Sequence, residues 1–148
     1  MTFTIANVID SIAGVLKAGY DCPVYLGPNQ QGTDYPCFFI FLMPSSISDE
    51  PDGRYFRNLG LDVVYVQERN AAGGNAEIQA VQEYLDEHLL MFDYSDGTGT
   101  VSLHTYEREA STEDQELHYK FHIRQRVSLP RDSNPMRVME ENNVTEKS

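Results

Sequence analysis

The chain has no run of 18 consecutive apolar residues, which excludes a helical membrane span. Basic residues are scarce. Lys and Arg total 11 against 23 Asp and Glu, a net charge of -12 with histidines neutral. That balance excludes a bulk grip on nucleic-acid phosphate and leaves room only for a local basic stripe. Cysteine is nearly missing: Cys22 and Cys37 cannot build a disulfide framework, so a reduced, intracellular chain is expected. The N-terminus lacks the basic-then-apolar layout of a secretory signal. No internal repeat occurs. The glycines at 73–74 and 97–99 have neither a following Lys-Ser/Thr nor the Gly-x-Gly-x-x-Gly spacing that cradles phosphate. What is present suits a small, acidic, soluble globular protein: 148 residues, 41% apolar and 23% charged, enough for one domain burying about two-thirds of its unfolded surface.

The apolar spacing predicts an amphipathic helix over residues 4–18, with Ile5, Val8, Ile9, Ile12, Val15 and Leu16 on one face, stopped by Gly19 and Pro23. A short strand, 24–26, runs into a turn-rich segment, 27–35. Residues 37–43 are continuously apolar between Pro36 and Pro44, the pattern of a strand buried on both faces. A polar loop, 45–53, separates it from a long strand, 55–67. That strand sends Leu59, Leu61, Val63 and Tyr65 to one face and Phe56, Asn58, Asp62, Val64 and Val66 to the other. After a Gly-Gly joint, Asn75 is positioned to cap a second helix over 76–91, with Ile78, Val81, Leu85, Leu89 and Phe92 as its buried stripe. The Asp-Gly turn at 95–100 leads to a hairpin of strands 101–109 and 116–129 around an acidic tip, 110–115. The expected fold is α+β: one antiparallel or mixed sheet of about four to five strands under two helices, residues 1–129, followed by a mobile tail, 130–148.

Catalytic and metal chemistry finds little support. His118 and His122 are four apart in an alternating segment, where four residues span about 13 Å, too far for one zinc. His104 brings no ligand cluster with it, and His88 reads as a satisfied histidine among core-facing helical positions. Cys37, opening the most apolar strand, reads as an inert core thiol; Cys22 lies near a loop. The adjacent acids Asp86–Glu87 and Glu113–Asp114 diverge on their elements and read as solvated charges. No cofactor and no metal site are expected.

The last strand stands out against the acidic background. Leu117, Tyr119, Phe121, Ile123 and Val127 alternate with His118, Lys120, His122, Arg124 and Arg126, so one face packs inward and the other is basic. Either Glu107, Glu109 and neighbouring acids neutralise that face, or it meets an acidic partner: another subunit, or passing DNA. Arg54 and Arg57 pose the same alternatives beside the acidic loop Asp49, Glu50 and Asp52.

Residues 31–46, QGTDYPCFFIFLMPSS, followed by 53–66, GRYFRNLGLDVVYV, resemble a family of tail terminator proteins from long-tailed bacteriophages and prophages, mainly of Gram-positive hosts. The resemblance rests on Gln31, Gly32, Pro36, Cys37, Phe38, Phe39, Gly53, Arg54, Tyr55 and Arg57, and on the helix before and the helix after. It implies a virion structural protein without enzymatic activity. It further implies a subunit that closes, usually as a hexameric ring, on the last ring of the tail tube and stops its growth. Neck or head-completion proteins then attach to that ring, and the sheath end touches it in contractile tails. DNA crosses its channel only as cargo. Asp49, Glu50, Asp52, Arg54, Arg57, Lys120, Arg124 and Arg126 are the expected interface residues, since a ring needs two unlike patches per subunit. A neck adaptor on the portal side is the alternative, and a small hydrolase built on His104, His118 or His122 a third reading.

Overall fold

The computed structural model describes residues 2–27, 34–50, 54–69 and 71–127. The order is α1 (Ile5–Gly19), β1 (Val24–Leu26), β2 (Cys37–Asp49), β3 (Tyr55–Val66), α2 (Gly74–His88), β4 (Met91–Ser95), β5 (Thr100–Glu113) and β6 (Glu116–Val127). The strands form one sheet ordered β1-β2-β3-β6-β5-β4, in which β1 and β2 run parallel and every other neighbouring pair is antiparallel. The α+β class and the mixed sheet are as expected, with six strands in place of four to five. Gln31, Gly32, Asp52, Gly53 and the expected tail at 130–148 lie outside the described residues.

α1 starts where Thr4 takes an extended conformation and its hydroxyl accepts the Asn7 N–H at 3.1 Å. Its stripe of Val8, Ile12 and Leu16 is buried. Gly19 is the last helical residue, before an extended Tyr20, and close approach requires glycine there: a Cβ would run into the Tyr84 ring, whose hydroxyl donates to the Val15 carbonyl at 2.7 Å. α1 touches β4 at one sheet edge and β1 and β2 at the other, so the sheet curls around it. Tyr94 of β4 fastens the entry, accepting the Thr4 N–H at 3.1 Å and donating to the Thr2 carbonyl.

α2 differs from expectation at both ends. It begins at Gly74 behind an N-terminal Gly73 that makes no side-chain cap, and Asn75 lies inside the first turn. It stops at His88, and Met91 and Phe92 open β4, whose alternation buries Phe92 and Tyr94. Leu85, Leu89 and Phe92 happen to keep helical spacing across that junction, which hides the short strand. The helix is clamped to the sheet by two carboxylates: Glu77 accepts from the Tyr65 hydroxyl at 2.5 Å and Asp86 from Tyr119 at 2.6 Å. Asp86 is therefore an exposed charge, as expected, that also holds a partner.

The strands also outrun the polar segments read as loops. β2 continues through Pro44 to Asp49, with a bulge between Met43 and Ser46 that takes up the proline where no ladder bond is needed. β5 continues to Glu113, and the acidic tip shrinks to a two-residue turn, Asp114 and Gln115, both at positive φ (49° and 67°), the geometry that matches strand twist. The helix-facing side of the sheet, with Phe38, Ile40, Leu61, Val63, Phe121 and Ile123, forms the core with both helical stripes. A second, small apolar cluster of Cys37, Phe39 and Val64 lies on the opposite face.

Candidate assembly surface

Alternation along β6 buries Leu117, Tyr119, Phe121 and Ile123 in the core and sends His118, Lys120, His122, Arg124 and Arg126 to the opposite face. β3, pairing with β6 in register, lays Asp62 against Lys120 and Asn58 against Arg124 on that face. The stripe is partly neutralised. His118 Nδ1 lies 3.0 Å from Asp62 Oδ2 and its Nε2 3.3 Å from Glu116 Oε1. His122 Nδ1 meets Asn58 Oδ1 at 3.1 Å. Arg124 reaches Glu107 at 3.3 Å and sets its guanidinium 4.9 Å from the Tyr106 ring centre. Arg126 Nε donates to Glu50 Oε1 at 2.9 Å. Lys120 makes no ion pair within 4.0 Å among the described residues, although Asp62 and Glu109 oppose it in register. Of the two acids named as neutralising partners, Glu107 pairs with Arg124, and Glu109 opposes Lys120 without an ion pair within 4.0 Å among the described residues.

The expected interface residues separate into three groups. Asp49 ends β2, exposed, opposite Tyr55, so it belongs to a strand and not a loop. Glu50 follows, its N–H donating to the Arg54 carbonyl at 2.8 Å and its carboxylate bound to Arg126. That joins the acidic corner to the basic stripe across β3. Arg57 lies on the helix-facing side with Phe3, Val8 and Leu59, because strand alternation turns it away from Phe56 and Asn58. Asp52 lies outside the described residues. Sequence reasoning missed Asp62, Asn58 and Tyr106 as partners of the stripe, since cross-strand register carries no local signal.

The remaining titratable candidates are quiet. Burial first, then the Cys22 sulfur and nearby acids, pushes the Cys37 thiol up to about 11, which keeps it an inert thiol at neutral pH. His88 is exposed and lies against the Tyr84 ring at 4.1 Å, so it is a surface histidine and not a core one. Among the described residues no group of three or more His, Cys, Asp or Glu converges as metal ligands, and no helix is long and apolar enough to cross a membrane.

His118 yields a pH prediction. Burial acts to lower its pKa, but the hydrogen bonds and charges of Asp62 and then Glu116 outweigh it, raising the value above 6.5. A raised folded pKa contributes stability that is complete below the unfolded value and fades as pH climbs through the folded one. Urea unfolding at pH 6 and pH 9 should therefore show the natural chain losing more stability on the way up than His118→Gln does. For a partly exposed group the difference is under about 1 kcal/mol. Equal losses would remove the His118–Asp62 pair as a charged contact.

A sequence model of the phage tail terminator protein matches residues 7–135, from α1 through the end of β6. The chain belongs to the phage tail terminator family. The matched span contains residues 31–66, where the resemblance lies. No curated protein sequence matches the chain. Tail terminators are structural components of the phage tail and not a catalytic family, so the chain is a virion protein that associates with other tail or neck components.

Proposed function

We propose that this terminator closes into a homo-hexameric ring on the last ring of the tail tube, ends tube polymerisation, and offers its outer side to neck or head-completion proteins. Family membership carries the reading. The charge layout supports it. Lys120, Arg124 and Arg126 share one sheet face, and Arg126 is tied through Glu50 to the corner that carries Asp49 and Arg54, while β5 carries Glu107, Glu109 and Glu113. A ring requires head-to-tail contact between unlike patches, and one copy's acidic strand with the next copy's basic stripe meets that requirement. Growth ends because the outer side of the ring does not match another tube subunit. DNA crosses the opening as cargo, and an overall charge of -12 keeps it from being held.

Purified chain added to polymerising tube subunits should give tubes of limited length carrying one ring at one end in negative-stain images. Tubes that grow past the bound protein would sink the reading. Binding to portal-side components with no retention on tubes would assign it to a neck adaptor instead.

A further inference from the structure

Both flanking strands of the sheet are short, and each leaves half of a long strand bare. β1 covers only residues 38–40 of β2, so among the described residues the outer edge of 41–49 has no partner. β4 covers only residues 100–104 of β5, and beyond the bond from the Thr105 N–H to the Leu90 carbonyl the edge of 106–113 is bare among the described residues. The two notches are of nearly equal length and sit at diagonally opposite corners. A bare edge is a template for pairing, and natural proteins usually shorten or charge it. β2 does neither and relies on Pro44 and its bulge: between 41 and 48 it has no charge, and it exposes Leu42 by 53% and Ile47 by 46%.

Building on the ring reading, we infer that the bare half of β5 in one copy pairs antiparallel with the bare half of β2 in the next, making one sheet continuous around the ring. The directions fit: β2 and β5 run oppositely within the sheet, so copies related by rotation about the ring axis present them antiparallel. Facing fits as well. With Ser46 opposite Glu109, the bulge after Met43 puts Met43 opposite Ser111, so residues of the same sheet face meet on both sides of it. Leu42 then covers Thr112, and Ile47 covers Arg108 beside a concavity of about 500 Å³ at the β5 edge.

In this register β1 ends where the neighbour's hairpin tip begins, and β4 ends where the neighbour's β2 stops. The stagger is about four residues, roughly 13 Å, across four strand spacings of roughly 19 Å. That slope is near 35°, the tilt at which closed barrels form. Pairing β5 with another β5 would set Glu107, Glu109 and Glu113 against themselves, which disfavours the two-fold alternative.

The test is a Ser46→Cys, Glu109→Cys chain with Cys22→Ser, oxidised after ring assembly on tube subunits and run on a denaturing gel. Within one chain the two positions are about 19 Å apart, three strand spacings across and four residues along, beyond disulfide reach, whereas paired strands place them within it. A ladder of covalent oligomers is the expected result. Rings without a ladder would overturn edge pairing and leave the ring reading standing. A folded chain giving neither rings nor ladder would overturn both, and cross-linked dimers alone would show a two-fold contact instead. Should the cysteine chain misfold, Leu42→Lys with Ile47→Lys, both at exposed positions, decides the matter: ring yield falls at least tenfold with circular dichroism unchanged, and undiminished rings refute the pairing.

Discussion

Phe38→Ala lowers the unfolding free energy by about 3–5 kcal/mol, measured by denaturant titration of the purified chain. Phe38 is fully buried, packed 5.1 Å from the Tyr65 ring centre and 5.6 Å from Tyr20, where α1 leaves the sheet. The vacated volume lies between a strand in the middle of the ladder and a helix end held by Tyr84, so neither side can collapse into it. Phe39→Ala is the control. Its ring points to the other face, in a cluster with only Cys37 and Val64 fully behind it, and its loss should cost less by at least 1 kcal/mol. A larger cost for Phe39 than for Phe38 would mean that β2 is seated one residue out of register, since a one-residue slip exchanges the two faces.

That pair also shows what the sequence could and could not reveal. Seven apolar residues in a row identify a buried strand but carry no alternation, so which phenylalanine enters the core is invisible until β2 is paired with β3. β6 is the opposite case: its strict alternation separates the core face from the basic face without any knowledge of neighbours. α1 was legible because Thr4 and the spacing of Val8, Ile12 and Leu16 are local signals. β4 was not, because its five residues continue the spacing of α2 and its strand character comes from pairing with β5. The continuation of β2 past Pro44 was concealed by a bulge, which lets a residue that normally ends a strand sit inside one. At the assembly surface the stripe itself was readable, while its partners were divided. Glu107 lies on the neighbouring strand of the same hairpin and was anticipated. Glu50 reaches Arg126 only because β3 lies between β2 and β6, and Asp62 finds His118 the same way; both depend on long-range pairing that no local pattern encodes.

Arg124→Glu with Arg126→Glu should leave the monomer folded and reduce ring formation by roughly two decades. Arg126 is exposed and Arg124 half-buried, and their pairs with Glu50 and Glu107 contribute at most about 1 kcal/mol each to the fold. Near-native circular dichroism and a melting temperature within a few degrees are therefore expected. Ring closure multiplies the effect. Reversing two charges on the sheet face shared with a neighbour's acidic β5 weakens each contact by about 0.5 kcal/mol even when partly screened. Over the six contacts of a hexamer that sums to about 3 kcal/mol, roughly a hundredfold in the assembly equilibrium. High salt should reproduce part of the loss in the natural chain and have little further effect on the variant. Sedimentation of both chains across a salt series checks this directly. Normal rings from the double variant at low salt would remove Arg124 and Arg126 from the contact and make the stripe a lining of the channel, leaving the bare edges of β2 and β5 to hold the copies together.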